Sequence, residues 1–151
     1  MGWPEKKIED YFCEHIDAID EDLTFFRRQY IVNYRKKKIG VIDILCVQGE
    51  DKRYVIVENK KGLLTARDMG QVLAYYKIFK NIDNIGSGKN KRNPKIIFIC
   101  TGVDEQFKLA YEAISELGIE MEIKVIKQDG PECLSLQDYF NEDYGRLSIA
   151  M

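Results

Sequence analysis

The chain has 151 residues, of which 45% are hydrophobic and 32% charged, with a formal net charge of −2 at pH 7. This size and apolar content predict one domain over residues 1–151, with a core at about 5–127 and a C-terminal extension at 128–151. The sequence has no apolar run of the roughly 18 residues that span a bilayer and no signal-peptide core, so we expect a cytoplasmic protein without membrane contact. Four scattered cysteines and a single histidine argue against a zinc knuckle and against Ser-His-Asp catalysis.

The first half of the chain reads as a helix followed by three strands. Apolar residues recur at helical intervals over residues 5–19. Residues 25–34, 39–46 and 54–61 are rich in Val, Ile and Tyr, which is typical of strands. Residues 49–52 form a short polar linker, so the second and third strands are predicted to make an antiparallel hairpin.

The second half predicts two helices that alternate with strands. Thr65 and Asp68 resemble a capping box at the start of a helix that runs to about residue 80. A strand at 95–101, a helix at 104–117 and a strand at 119–127 follow, with Gly118 ending the helix. The predicted order is αβββαβαβ, an α/β fold with a mixed central sheet flanked by helices. The Gly-, Asn- and Lys-rich residues 81–94 predict a flexible loop that either closes over a strand of substrate or is disordered, and we favour a mobile, functional loop. We assign residues 128–151, with a short apolar segment at 134–140, to packing or a partner contact.

Two carboxylates interrupt the apolar strands of the predicted hairpin. If Gln48 pairs with Arg53, then Asp43 lies directly opposite Glu58, with the two Cβ atoms about 5 Å apart. Carboxylates this close must share a proton or hold a cation between them. Lys60, two residues beyond Glu58, points to the same face. The three residues predict a site for Mg²⁺ or Mn²⁺ with a basic group beside it, as in a phosphodiester-cleaving centre.

Three segments resemble the PD-(D/E)XK nuclease superfamily, in particular archaeal mismatch-type endonucleases and RecB-like nucleases. They are Gly40-Val-Ile-Asp-Ile-Leu45, Val57-Glu-Asn-Lys60 and Gln71-Val-Leu-Ala-Tyr75. The resemblance covers about residues 5–101 and implies a restriction-endonuclease-like core. It also implies that the site is lined by Asp43, Glu58, Lys60, Gln71 and Glu9.

Two residues depart from the pattern of these relatives. Val41 stands where they often have Arg, which weakens an expected phosphate contact. Asn59 fills a position that is usually apolar and points away from the metal, so its side chain must find a hydrogen-bond partner or lie near the sheet edge. Neither departure removes a metal ligand.

The resemblance implies hydrolysis of a phosphodiester by a metal-activated water. We expect Asp43, Glu58 and the main-chain carbonyl of Asn59 to hold the metal. Lys60 would hold or deprotonate the water and contact the scissile phosphate, and Gln71 would position water or metal.

The net negative charge is unusual for a protein that binds nucleic acid, so we expect local basic clusters to provide the contact. A basic run leads directly into the strand that carries Asp43. The predicted nucleic-acid-binding residues are Arg35, Lys36, Lys37, Lys38, Lys61 and Tyr75.

The sequence therefore predicts an Mg²⁺-dependent deoxyribonuclease acting in repair, recombination or defence, alone, as a homodimer or within a larger complex. Three alternatives stay open at this point. The acidic and basic residues could form a structural ion pair, the domain could bind nucleic acid or a protein without cutting, and the substrate could be RNA.

Overall fold

The computed structural model describes residues 2–85 and 91–140. Its helices are α1 (Glu5–Glu14), α2 (Ala66–Lys80) and α3 (Glu105–Ser115), with a 3₁₀ turn at Ile16–Ala18. Its strands are β1 (Leu23–Tyr34), β2 (Lys37–Gln48), β3 (Arg53–Asn59), β4 (Leu63–Leu64), β5 (Lys95–Cys100), β6 (Gly102–Val103), β7 (Met121–Gln128) and β8 (Leu134–Asp138). None of the helices within these described ranges is long and apolar enough to cross a membrane.

Six strands form the central sheet in the order β1-β2-β3-β5-β7-β8. The first three strands are antiparallel neighbours, β3, β5 and β7 are parallel, and β8 pairs antiparallel with β7. A small second sheet joins β4 to β6. The predicted α/β class and mixed sheet are confirmed, and the long elements follow the predicted order αβββαβαβ. The short strands β4 and β6 and the edge strand β8 are three strands that the sequence did not predict.

Helices cover both faces of the sheet. Helices α2 and α3 pack over one face, whose core includes Ile56 and Phe98, and α1 packs over the other, whose core includes Val55 and Val57. Helix α1 ends at Glu14 and not at the predicted residue 19, because the chain leaves helical geometry at the next residue and continues as a 3₁₀ turn. The alternation of apolar side chains in β3 is what a strand buried on both faces requires.

The side chains of β2 stop alternating regularly between the two faces of the sheet at Asp43. Residues two apart in a regular strand share a face. However, Ile42 packs with the α2 side of the sheet and Ile44 with the α1 side. The ladder between β2 and β3 also ends at the pair Ile44 and Val57, so Asp43 lies where the two strands diverge.

The loop before β5 lies at the opposite end of the sheet from this divergence. Arg92 and Asn84 both bind the carboxylate of Asp51, in the turn between β2 and β3. Asp51 lies seven residues before Glu58 in the sequence, about 20 Å along the strand. The described parts of the loop therefore lie away from the carboxylates. Residues 86–90 lie outside the described residues, and closure of the loop over substrate stays a prediction.

Candidate active site

Asp43 and Glu58 come together where β2 leaves β3. The predicted pairing of Gln48 with Arg53 is confirmed. Beyond the last ladder pair, the amide of Asp43 donates to Oε1 of Glu58 at 3.3 Å, and the amide of Asn59 donates to Oδ2 of Asp43 at 2.8 Å. The Asp43 carboxylate thus lies between the two strands and accepts from the amide of Asn59, where a main-chain carbonyl would accept if the ladder continued.

Burial and nearby negative charge raise the proton affinity of both carboxylates. Burial raises the pKa of Asp43 to about 6, the negative charge of Glu9 adds to the rise, and the amide of Asn59 opposes it. Burial first, and then the charge of Asp43, raise the pKa of Glu58 well above its ordinary value. The pair therefore retains a proton close to neutral pH unless a cation balances its charge.

Lys60 is held beside the carboxylates by an acid that the sequence interpretation assigned only to helix capping. Its Nζ lies 2.6 Å from Oδ2 of Asp68, with both side chains partly buried. The same oxygen accepts from the amide of Thr65 at 2.8 Å and from its hydroxyl at 3.1 Å. The start of α2 therefore fixes the ammonium group, and the short segment that joins the strand of Lys60 to the helix of Asp68 was the available signal.

One cavity of about 550 Å³ brings most of the predicted catalytic side chains together. Asp43, Glu58, Lys60 and Gln71 all line it, as does the exposed Lys38. Helix α2 supplies Gln71 one turn after the residue that binds Lys60. Glu5 and Asp68 line it too, so the cavity offers four acids, two lysines and the amide of Gln71, a set that can bind a cation and an anionic ester side by side.

Glu9 faces Asp43 from the other side of the strand. It lines a second cavity, of about 490 Å³, which Asp43 also lines. Its carboxylate accepts from Nε of Arg28 at 2.5 Å and from Nε2 of Gln29 at 2.8 Å, while Arg28 also pairs with Asp10. The structure therefore places Glu9 next to Asp43 but outside the cavity that holds Lys60.

The basic run forms the turn of the β1–β2 hairpin. Arg35 and Lys36 have φ values of 51° and 64°, so both lie in the left-handed region that a two-residue hairpin turn requires. Lys37 and Lys38 begin β2, and all four side chains are exposed. Lys61 is exposed as well, and its amide donates to Glu5. These residues are free to contact a polyanion.

Tyr75 is fully buried, which corrects its predicted role as a nucleic-acid contact. Its hydroxyl donates to the carbonyl of Val41 at 3.4 Å, beneath the strand that carries Asp43. It lies so close to Gly40 that a Cβ on that glycine would be 2.0 Å from the hydroxyl oxygen. Tyr75 therefore supports the strand from below and does not face the solvent.

Replacing Gly40 by Ala should lower the free energy of unfolding by about 1–3 kcal/mol, the usual cost of overpacking a core. The new methyl group would also lie 2.8 Å from Cζ of Tyr75, so a small ring movement does not relieve the clash. Urea unfolding measures the loss. Gly70→Ala is the matched control, since nothing lies within 4 Å of its Cβ and it lies within α2, so it should equal or exceed wild type. Equal stabilities for both variants would contradict the contact.

Asn59 finds the partner that its position demands. It is 7% exposed, and its Nδ2 donates to the carbonyl of Glu5 at 3.1 Å, which ties the end of β3 to the start of α1. Its Oδ1 is buried with no hydrogen-bond partner among the described residues. Its side chain thus faces α1 and away from Glu58, as expected, and Asn59 is also among the residues that line the cavity.

The donor chemistry of the carboxylate pair suits a hard divalent cation. Within residues 2–85 and 91–140, no three His, Cys, Asp or Glu side chains are grouped closely enough to hold a metal ion. Mg²⁺ commonly uses only one or two carboxylates and keeps several waters. Two adjacent acids that resist joint ionisation, together with a main-chain carbonyl at Asn59, match that requirement.

The metal-free protein should become more stable as the pH falls from about 7.5 to about 5. The pKa of Asp43 is raised from 3.8 to about 6, so the folded state binds this proton more tightly than the unfolded chain. Stability from this group is present below pH 3.8 and is lost as the pH rises through 6. We expect the stability difference between wild type and Asp43→Asn to change by about 1 kcal/mol across this window, measured by urea unfolding in EDTA. Parallel pH profiles of the two proteins would contradict the raised pKa.

Comparisons with known proteins identify the fold. No protein-family model and no curated protein sequence matches the chain. EndoMS in complex with double-stranded DNA is similar in structure, with a TM-score of 0.59 and 15% identity over 79% of this chain and 43% of EndoMS. A repair endonuclease from Pyrococcus abyssi has a TM-score of 0.57 and 18% identity, over 80% of this chain and 46% of that protein. EndoMS in apo form has a TM-score of 0.57 and 15% identity, over 87% of this chain and 48% of EndoMS.

These similarities show a restriction-endonuclease-like fold, as the sequence motifs implied. The chain spans less than half the length of each of these proteins.

Proposed function

We propose that this protein is a metal-dependent nuclease that hydrolyses phosphodiester bonds in DNA, with Mg²⁺ or Mn²⁺ as its cofactor. The observation that carries the proposal is the placement of Asp43 and Glu58 side by side in one cavity with Lys60. Two buried acids with raised pKa values destabilise the fold, and a bound cation would balance their charge. Similar structures include a repair endonuclease and EndoMS bound to double-stranded DNA, which supports DNA as the substrate.

Each side chain of the cavity has a distinct task in this reaction. Asp43, Glu58 and the main-chain carbonyl of Asn59 would hold the metal, which supplies a water of lowered pKa and offsets negative charge on the phosphate. Lys60, fixed by Asp68, lies on the same side as Glu58, where its ammonium group can hold the attacking water and bind a non-bridging phosphate oxygen.

Residues around the cavity would hold the rest of the substrate. Gln71 lines the cavity, and its amide can orient a water or a phosphate. Lys38 lines the cavity, and the exposed Arg35 and Lys36 of the hairpin turn lie three and two residues before it. Such contacts attract the phosphate backbone regardless of base sequence, and binding should weaken steeply as salt is raised.

The proposal is tested by incubating the protein with end-labelled single-stranded, duplex and branched DNA in Mg²⁺, Mn²⁺ or EDTA. Cleavage in either metal, absent in EDTA, is the expected result. A retarded band in a gel without any cleavage would replace the nuclease by a binding module that keeps the same fold. Equal cleavage of matched RNA would remove the preference for DNA and leave a metal-dependent phosphodiesterase that cuts both.

A further inference from the structure

The residue opposite Asp43 in the sheet has an unusual conformation. Gln29 of β1 lies between Arg28, which pairs with Ile44, and Tyr30, which pairs with Ile42, so it faces Asp43 across the two strands. Its φ is 51°, in the left-handed region that non-glycine residues seldom occupy and that is rare within a strand. Such a conformation persists only when the surroundings impose it, and it clusters at functional sites.

The side chain of Gln29 connects the two acids on the α1 side of the site. Its Nε2 donates to Oε1 of Glu9 at 2.8 Å and reaches Oδ1 of Asp43 at 3.4 Å. The other oxygen of each acid is already engaged: Arg28 binds Glu9, and the amide of Asn59 binds Asp43. One amide group therefore bridges the two acidic side chains and donates a hydrogen bond to each.

The link from Glu9 through Gln29 to Asp43 is anchored at both ends. Arg28 pairs with Glu9 and with Asp10, so the far end of the link is anchored to α1 by an ion pair. At the near end, Asp43 is held by its bond from the amide of Asn59, the residue that follows Glu58. A movement of Gln29 would therefore change the direction in which the Asp43 carboxylate points.

We propose that Gln29 is a positioning residue that orients the Asp43 carboxylate, by bridging it to the Glu9 carboxylate from a left-handed backbone conformation. The proposal rests on the nuclease function for its catalytic consequence, but not for its structural one. It assigns Gln29 a task that neither the motifs nor the fold resemblance indicated. Gln29 acts through Asp43 and needs no contact with the substrate.

The replacement Gln29→Gly distinguishes the role of the side chain from that of the backbone conformation. Glycine favours the left-handed conformation, so the fold should be retained or slightly strengthened while the amide bridge is lost. Gln29→Asn tests reach, because asparagine tolerates the same conformation but its amide is one methylene closer to the main chain. Lys52→Gly is the matched control: Lys52 has a φ of 52° in the turn between β2 and β3, at the far end of the sheet.

Hydrogen exchange in the metal-free protein gives the first measurement. In Gln29→Gly and Gln29→Asn we expect the amide proton of Asn59, which donates to Asp43, to exchange about tenfold faster than in wild type, since the bond opens whenever the carboxylate turns away. The amide of Val55, at the start of the same strand, should keep its rate. Lys52→Gly should leave both rates unchanged. An Asn59 rate equal to wild type in Gln29→Gly overturns the proposal.

Steady-state cleavage of DNA gives the second measurement. Loss of a side chain that orients a metal ligand commonly lowers activity by about 10- to 100-fold. We expect Gln29→Gly to lose at least about tenfold in kcat with its KM for DNA within about twofold of wild type, and Lys52→Gly to retain both values. If wild type cuts no DNA, the proposed nuclease function fails while the exchange result still decides the role of Gln29. If wild type cuts and Gln29→Gly retains its kcat, the positioning role is overturned.

Discussion

Asp43→Asn is expected to reduce DNA cleavage by about 10³-fold and at the same time to stabilise the metal-free protein by about 2 kcal/mol. The loss of rate follows because a bound metal contributes several kcal/mol to the transition state, and each 1.4 kcal/mol is about tenfold. The gain in stability follows because the buried Asp43 has its pKa raised to about 6, so its charge opposes folding at neutral pH. Asparagine can still accept the hydrogen bond from the amide of Asn59. Single-turnover cleavage and urea unfolding in EDTA measure the two effects.

The effect of Mg²⁺ on stability and a control variant distinguish this result from a general loss of structure. Mg²⁺ should raise the stability of wild type in proportion to its binding and should leave Asp43→Asn almost unchanged. Asp17→Asn, an exposed acid in the 3₁₀ turn, should change neither rate nor stability. A less stable and still active Asp43→Asn protein would mean that the pair of acids is a structural element and not a metal site.

The hairpin could be predicted from the sequence because local rules determine it. Apolar runs bounded by a polar linker set the register of β2 and β3, and the register brought Asp43 to Glu58. The capping box at Thr65 and the N-cap at Asp104 follow equally local patterns. These elements needed no knowledge of the rest of the chain.

The remaining features of the site depend on contacts between distant segments. The left-handed conformation of Gln29 has no sequence signal, since nothing in a run of strand-forming residues predicts it. Tyr75 lies on a broad apolar helix surface, and only the packing of α2 under Gly40 decides that it is buried. The same holds for Glu9, whose partners lie on β1, about 20 residues away.

The second large effect concerns Lys60, which should be needed for the chemical step but not for metal binding. Lys60→Met is expected to lower the rate of cleavage by about 10²- to 10³-fold, the usual loss when one group that stabilises transition-state charge is removed. Its affinity for Mn²⁺, measured by calorimetry, should stay close to that of wild type, because the metal would bind Asp43 and Glu58. Lys127→Met, an exposed lysine on β7, is the matched control and should cleave normally.

Asp68 allows the position of Lys60 to be tested apart from its charge. Asp68→Asn retains an oxygen for the amide of Thr65 but loses the ion pair that holds the Lys60 ammonium group. If the cavity works as proposed, this variant keeps Lys60 and loses only its placement, so its rate should fall by less than that of Lys60→Met. The double variant should be no slower than Lys60→Met alone, because the two residues act through one ammonium group. Additive losses would mean that Asp68 has a separate function in the site.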